Sequence, residues 1–274
     1  MTARQVALTI AGSDSGGGAG IQADLKTFQA FGVFGTSAVT AITAQNTVGV
    51  RAIQKTDPEV VADQIRAVAE DLRPAASKTG MLADAPIIAA VAEAIRETGL
   101  AHLVVDPVMV AKSGDRLLEE DAVAALMTQL LPLAEVITPN LPEAAILAGR
   151  PVETAADMRA AAEILTERGV QSVLVKGGHL GGELLVDLFL DGADWHEWQG
   201  PRLDTKHTHG TGCTLSAAIC AGLALGWSRV EAVRRARIYT QRAIEMAPGL
   251  GAGHGPLNHW VGIGNSGVGD SGSR

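Results

Sequence analysis

The stretch Val6-Ala-Leu-Thr-Ile10, followed by Gly12-Ser-Asp-Ser-Gly-Gly-Gly-Ala-Gly20, opens the pattern that decides the fold. The first run is short and rich in apolar and β-branched residues, which predicts a strand. The glycine-rich run after it predicts a strand-to-helix turn, and a helix is expected from there through Phe31. The chain therefore begins with a strand–turn–helix unit.

Units of the same kind follow along almost the whole chain. Further strands are predicted at 36–42, 102–106, 135–138 and 172–176, and a short strand is predicted to end at 78–81. A late hairpin is predicted at 184–190 and 194–198 around Asp191-Gly192. Further helices are predicted at 58–72, 85–98, 118–131, 142–148, 157–168, 214–225 and 229–246. This alternation indicates an α/β protein with a mostly parallel sheet covered by helices on both faces.

Composition and charge exclude several classes of protein. Of the 274 residues 47% are apolar, which is enough for a sizeable core. The net charge of −8 and the lack of a basic stripe argue against nucleic-acid binding. The uncharged stretch 211–228 approaches the length of a membrane span, but its apolar part, 215–227, fits a buried helix better. We therefore expect no membrane segment.

The chain is predicted to form one domain over 1–260, followed by a disordered tail over 261–274. The tail is rich in glycine and serine and has little apolar surface to bury. Cys213 and Cys220 would lie about 10 Å apart along one helix, too far for a disulfide. Residues 1–5 lack the pattern of a secretory signal, so a reduced, cytoplasmic protein is expected.

The sheet architecture also predicts where a ligand binds. In parallel sheets, ligands bind beyond the carboxyl ends of the strands. This rule places one set of glycine and polar positions on a shared edge: 12–20, Gln45, Asn46, Met81, Asp106, Asn140 and 176–178.

The segment His209-Gly-Thr-Gly-Cys-Thr-Leu-Ser216 runs from glycines into an apolar helix. The first N–H groups of a helix lack helical partners, and the helix dipole adds positive charge there, so the segment predicts an anion cradle. The same field would favour a thiolate at Cys213, facing a phosphoryl group in transfer. The alternative is a glycine turn before a core helix that contains an inert thiol.

Other polar residues at this edge each have two interpretations. Asn140 and Glu143 are spaced either to organise the water around Mg²⁺ or to form a capping box, and both can hold together. Lys176 is either a cation for a nucleotide phosphate or a solvated lysine before a turn. Asp106 contacts a metal or only ends a strand. Asp24 accepts a hydrogen bond from a substrate hydroxyl, lies solvated at the surface, or interacts with the helix dipole in the first turn. The pair His207 and His209 has no obvious third ligand, so a metal site there is discounted.

Taken together, these segments resemble the hydroxymethylpyrimidine/phosphomethylpyrimidine kinases of thiamin biosynthesis, in the ribokinase-like superfamily. The stretches that carry the resemblance are 7–14, 17–26, 43–47, 80–82, 111–114, 137–144, 176–179 and 208–216. They follow the family's order along residues 5 to about 260, and so many matches are specific.

The resemblance implies a three-layer α/β/α fold and two successive ATP-dependent phosphorylations. The first is of the hydroxymethyl group of 4-amino-5-hydroxymethyl-2-methylpyrimidine, and the second is of the monophosphate. It also implies Mg²⁺ and a homodimer. The implied pyrimidine-binding residues are Gln45, Asp24, Ala19, Met81 and Val108. The implied ATP-binding residues are Asn140, Glu143, Lys176 and Thr211. The implied catalytic residues are Gly210, Thr211, Gly212, Cys213 and Lys176. The predicted metal residues stay those suggested by the sequence itself, Glu143 and Asp106.

One position departs from the wider superfamily, which has an aspartate where this chain has Cys213. A cysteine there is shared with a branch of pyridoxal kinases. Two alternatives therefore stay open: a pyridoxal or pyridoxine kinase, and a pyrimidine sensor that has lost turnover.

Overall fold

The computed structural model describes residues 4–109, 120–178 and 184–263, with the side chain of Leu184 left out. The family-like stretch 111–114, His179 and the first two residues of the predicted helix 118–131 lie outside the described residues. So do residues 264–274 of the predicted tail.

The described strands are β1 (Val6–Ala11), β2 (Phe34–Val39), β3 (Ala41–Gln45), β4 (Val50–Lys55), β5 (Ala76–Thr79), β6 (Leu103–Val105), β7 (Val136–Ile137), β8 (Ser172–Val175), β9 (Leu184–Asp191) and β10 (Asp194–Pro201). The described α-helices are α1 (Gly20–Ala30), α2 (Pro58–Asp71), α3 (Ala85–Thr98), α4 (Glu120–Ala125), α5 (Leu141–Ala148), α6 (Ala155–Glu167), α7 (Thr211–Ala224) and α8 (Arg229–Glu245).

Eight of these strands form one sheet in the order β10-β9-β8-β7-β6-β5-β1-β2. The strands from β8 to β2 in that order run parallel, and β9 and β10 continue the sheet antiparallel as a hairpin. The mostly parallel sheet and the late hairpin are both confirmed.

Two apolar cores lie on opposite faces of the sheet. In β1, Leu8 and Ile10 face the core that α2, α3, α5 and α6 cover. Ala7 faces the other core, which α1, α7 and α8 cover. This alternation follows from the two-residue period of a strand. The three-layer α/β/α prediction is confirmed.

Helix α7 lies inside the protein, with every residue from Thr214 to Ala224 buried. Among the described helices, none combines the length and the apolar character needed to cross a bilayer. Cys213 and Cys220 are both free thiols.

The predicted strand 36–42 is confirmed for residues 36–39 only, because the strand ends before Thr40. There the backbone N–H of Thr40 bonds to Ala11 O and its hydroxyl donates to Met81 O at 2.7 Å, which turns the chain out of the sheet. The next residues pair instead as the ribbon β3–β4, which the sequence did not predict. All six residues of β4 are exposed, so its sequence lacks the alternation that marks a half-buried strand.

The predicted helix 118–131 is also irregular where it is described. After α4 the chain forms a π-helical turn, Leu126–Leu130, and then a 3₁₀ turn, Leu131–Leu133. The N–H of Leu131 reaches back five residues to Leu126 O, and Pro132 has no N–H to continue a helix.

The predicted boundary at 260 is too early for the packed part of the chain. Val261 is buried in the second core, and Ile263 packs against the same core. The packed region therefore reaches at least to 263.

His259, two residues before Val261 in the same segment, is also buried. Its Nε2 is 3.0 Å from the Thr214 hydroxyl, and its carbonyl accepts from Tyr239 OH. Burial, with the charge of Lys26, lowers the pKa of His259 from 6.5 to about 4.

The unfolded chain therefore binds a proton at His259 more readily than the native protein does. We expect the free energy of unfolding to fall as the pH drops from 6.5 towards 4, by up to about 1.4 kcal/mol per pH unit from this residue. Urea unfolding of the wild type and of His259→Gln at several pH values checks this. Equal slopes for the two proteins would contradict it.

Candidate active site

The glycine turn after β1 is folded around one carboxylate. Asp14 is buried, and it accepts hydrogen bonds from the N–H groups of Gly16, Gly18 and Ala19 at 2.8, 3.0 and 2.9 Å. Burial alone would raise the pKa of Asp14, but the hydrogen bond to His209 and those from the turn lower it below 3.8. The turn thus has a fixed shape and an anionic centre.

The start of α7 packs directly against this turn. Gly210 has a φ of +80°, and a Cβ there would overlap the carbonyl oxygen of Gly18. The helix begins at Thr211, three residues earlier than predicted, and no described side chain caps it. Thr211 uses its hydroxyl on Thr208 O instead, at 2.7 Å. Gly212 and Cys213 therefore lie in the first turn of the helix.

A cation lies on the other side of the same helix start. Lys176, just beyond β8, has its Nζ 3.3 Å from Asp106 Oδ1. A Cβ on Gly212 would be 3.2 Å from Asp106 Oδ2 and 3.5 Å from Lys176 Nζ. Burial would lower the pKa of Lys176, but Asp106 and Glu143 outweigh it and raise the pKa. Lys176 is a stable cation, and its side chain is 17% exposed, so a ligand can reach it.

Asn140 and Glu143 form the predicted capping box at the start of α5. Glu143 N–H donates to Asn140 Oδ1 at 2.9 Å, and Asn140 N–H donates to Glu143 Oε2 at 2.8 Å. Glu143 is buried, which raises its pKa, and its Oε1 accepts from Met109 N–H at 3.4 Å. Asn140 is held next to Lys176 by a backbone bridge. The capping interpretation is confirmed.

Gln45 lies at the end of β3, beside the glycine turn. The hydroxyl of Ser15 donates to Gln45 O at 2.6 Å and accepts from Gln45 N–H at 2.8 Å. The half-buried side chain reaches His209, the residue before Gly210. His209 and Gly210, which are consecutive, therefore connect the side-chain amide of Gln45 to the start of helix α7.

Residues 14–258 match the family model for phosphomethylpyrimidine kinase. The chain belongs to this family. It is 54% identical to the hydroxymethylpyrimidine/phosphomethylpyrimidine kinase of Rhizobium meliloti, over 93% of this chain and 97% of that one.

Solved structures give the same answer for the fold. The phosphomethylpyrimidine kinase of Clostridium difficile superposes with a TM-score of 0.80 at 45% identity, covering 88% of this chain and 100% of that one. An ADP complex of Bacillus subtilis pyridoxal kinase superposes with a TM-score of 0.87 at 41% identity, covering 94% and 98%. The ribokinase-like fold of this phosphomethylpyrimidine kinase is thus established.

In this kinase the expectation of a favoured thiolate at Cys213 is wrong. Burial raises the pKa of the Cys213 thiol to about 11; Asp24 and Asp106 raise it too, and Lys78 and the N–H of Gly20 offset only part. Cys213 is a protonated thiol at neutral pH.

The predicted contact between Asp24 and the substrate also needs correction. Asp24 has no exposed surface, and its Oδ2 accepts from Lys78 Nζ at 2.7 Å and from the Thr9 hydroxyl at 2.6 Å. Burial raises its pKa, against the effect of Lys78. Asp24 forms a buried ion pair below the site and offers no surface to a ligand in this structure.

The other predicted substrate residues lie around the glycine turn or the end of β6. Ala19, Met81 and Val108 are all partly exposed. Ala19 meets Gly210, and the Met81 side chain packs on Gly12. Val108, with a φ of +27°, directly precedes Met109, whose N–H contacts Glu143.

The acidic residues of this kinase suit Mg²⁺ in chemistry. Asp106 and Glu143 offer hard carboxylate oxygens beside the cation Lys176. In the part of the chain that is described, no group of three or more His, Cys, Asp or Glu side chains is arranged to hold a metal. Such an ion would need the phosphates and water to complete its shell, which is how Mg²⁺ usually binds.

The roles of two residues that organise the site were not predicted from the sequence. Asp14 fixes the glycine turn, and His209 joins that turn to Gln45. The spacing of Asp14 two residues before Gly16 is a signal of a side-chain turn that would have indicated the first role. The role of His209 has no local signal, because Asp14 and Gln45 are distant in sequence.

Proposed function

We propose that this kinase transfers a phosphoryl group from ATP to 4-amino-5-hydroxymethyl-2-methylpyrimidine, and a second to the monophosphate. The observation that carries the proposal is the junction at His209-Gly210. It places the amide of Gln45 next to the helix start of α7, with Lys176 on the far side. An amide offers both a donor and an acceptor to the edge of an aminopyrimidine ring.

The helix start and Lys176 would act on the phosphates. The N–H groups of 210–213 and the ammonium of Lys176 stabilise the charge that spreads over the phosphoryl oxygens in transfer. Asp106 and Glu143, with Asn140 beside them, would hold Mg²⁺ through its water and the ATP phosphates, where it supplies further charge neutralisation. Both transfers use this machinery.

The test is a steady-state assay of ATP consumption with three acceptors: the hydroxymethylpyrimidine, its monophosphate and pyridoxal. We expect kcat/KM for the two pyrimidines to exceed that for pyridoxal. A preference for pyridoxal would favour the alternative suggested by the B. subtilis structure. Pyrimidine binding without ATP consumption would indicate a sensor.

Replacing Cys213 by alanine should lower turnover of the hydroxymethyl substrate by less than the roughly hundredfold that loss of a general base costs. With a pKa of about 11, only about one molecule in ten thousand carries the thiolate at neutral pH. We therefore propose that Cys213 forms part of the pocket wall.

The pH profile of the first transfer distinguishes the two roles. If the thiolate were the base, wild-type turnover would rise about tenfold per unit from pH 7 to 9, and Cys213→Ala would abolish the rise. We expect similar profiles for both proteins.

Replacing Gln45 by leucine should weaken pyrimidine binding by about 1–3 kcal/mol, because a buried ring edge loses its partner. Calorimetry with the pyrimidine measures this directly. The control is Gln29→Leu, which changes an exposed glutamine of α1. Equal pyrimidine affinity in the wild type and both variants would show that Gln45 does not bind the pyrimidine.

We also propose that two copies of the chain associate through the ribbon β3–β4. Ile42, Ala44 and Ala52 are exposed and lie on the same face of the ribbon, together with the polar Gln54 opposite Ile42. An apolar ribbon face of this kind suits a second identical copy. Light scattering should give the mass of a dimer for the wild type and of a monomer for Ile42→Lys, and a monomeric wild type would overturn this.

The two free thiols support a further proposal about location. Neither Cys213 nor Cys220 is paired. We infer that the protein works in a reducing compartment, the cytoplasm.

A further inference from the structure

The side-chain amide of Gln45 lies between two neighbours with fixed hydrogen-bonding roles. Its Oε1 is 3.3 Å from the Thr43 hydroxyl, and its Nε2 is 3.4 Å from Nε2 of His209. Ser15 occupies both backbone groups of Gln45. Only the side-chain amide of Gln45 is left to bind a ligand. Its orientation therefore decides where a ligand finds the hydrogen-bond donor and where it finds the acceptor.

The neighbour on one side cannot accept a hydrogen bond. Nε2 of His209 is 2.8 Å from Asp14 Oδ2, and the Asp14 carboxylate can only accept. Its pKa lies below the usual value, so it is ionised at neutral pH. His209 Nε2 must therefore carry a hydrogen, and it has no lone pair in the ring plane to offer to Gln45.

The neighbour on the other side is an acceptor. The Thr43 hydroxyl has one hydrogen, which it donates to Ser13 O at 2.8 Å. Only its lone pairs remain for Gln45. Thr43 is buried, so water does not replace this arrangement.

Both neighbours thus require the same orientation of the amide. A rotation of 180° about the last side-chain bond of Gln45 exchanges its oxygen and nitrogen without moving any other atom. We propose that Asp14, His209 and Thr43 are positioning residues that hold the Gln45 amide with its oxygen towards His209 and its nitrogen towards Thr43. One lone pair and one N–H then face the pocket in a fixed order.

This fixed order makes the three residues determinants of specificity. A ring edge with a ring nitrogen beside an exocyclic amino group presents an acceptor beside a donor. These two groups can pair with the N–H and the oxygen of the fixed amide in one arrangement only. A ring whose edge carries a different order of groups loses one hydrogen bond or leaves a buried group unpaired. The inference about specificity rests on the proposed function, whereas the inference about the orientation does not.

The orientation is tested in the ligand-free protein. Long-range ¹H–¹⁵N NMR spectra of the ¹⁵N-labelled full chain report which ring nitrogen of His209 carries the hydrogen, with the signal assigned by its loss in His209→Gln. We expect a hydrogen on Nε2. A neutral ring with its hydrogen on Nδ1 alone would overturn the proposal, whatever the enzyme phosphorylates.

The effect on specificity is tested with a matched pair of variants, Thr43→Val and Thr43→Ser. Valine is close in shape to threonine but can neither accept from Gln45 nor donate to Ser13 O, whereas serine keeps the hydroxyl and both hydrogen bonds. For Thr43→Val we expect a KM for the pyrimidine about five- to tenfold higher, with kcat and the KM for ATP little changed. The KM for pyridoxal should change less, and Thr43→Ser should restore the wild-type ratio.

Calorimetric affinities for the pyrimidine and for pyridoxal, together with melting temperatures, distinguish a change in specificity from a general loss of structure. An equal loss of affinity for both compounds, or no recovery in Thr43→Ser, would overturn the specificity role. If no acceptor is phosphorylated, the proposed function fails, and the NMR result still tests the His209 protonation on which the orientation rests.

Discussion

Replacing Lys176 by methionine should lower the rate of both phosphoryl transfers by about a hundredfold or more. The ammonium is the cation that the structure places beside Gly212, and it lies 3.3 Å from Asp106. Without it the ATP phosphates lose a counter-charge, and Asp106 and Glu143 repel them. Because both transfers break the same bond in ATP, both should be affected.

Single-turnover rates measured separately for the hydroxymethylpyrimidine and its monophosphate check this expectation. Lys55→Met is the control, since it removes a lysine whose side chain is 58% exposed and paired with Asp84 at the surface. Damage confined to the first transfer would assign Lys176 to the acceptor alcohol instead of ATP.

Replacing Gly210 by alanine should reduce both activity and stability. The residue has a φ of +80°, and a Cβ would overlap the carbonyl oxygen of Gly18. The left-handed conformation and the collision together should lower the free energy of unfolding by about 2 kcal/mol or more. A shift of about 1 Å between the turn and the helix start should lower turnover by about a hundredfold.

The matched control for Gly210 is Gly226→Ala. Gly226 has a φ of +81°, but a Cβ there would meet no atom within 4 Å. This variant should carry the backbone strain alone and keep its activity. If both variants lost the same stability and activity, contact between the glycine turn and the helix start would not explain the effect.

Much of the fold was predictable because its signals are local. Strand β8 is buried at every position, and the apolar character of Val173, Leu174 and Val175 alone marks it as a central strand. The ribbon β3–β4 gave no such signal, since β4 is exposed throughout and its position is set by contacts at Thr40. Local patterns therefore predict the layers of the molecule better than the structures at its rim.

In the candidate site, too, the features set by neighbouring residues were predictable and those set by distant residues were not. The spacing of Asn140 and Glu143 predicted their capping box because both partners lie in one helical turn. The predicted protonation state of Cys213 was wrong because the pKa of this thiol depends on burial and on carboxylates from other elements. The ion pair of Asp24 was also not predictable from the sequence, since its partner Lys78 is 54 residues away along the chain.

That buried pair also limits how related sequences can diverge. Loss of either Asp24 or Lys78 alone leaves one unmatched charge inside the protein, at a cost of about 3–5 kcal/mol, whereas exchanging both for well-packed apolar residues is often neutral. The path from a charged pair to an apolar pair therefore passes through an intermediate that loses much of the stability of a typical domain. Two positions on different elements should then be inherited as a unit, kept or replaced together over evolutionary time.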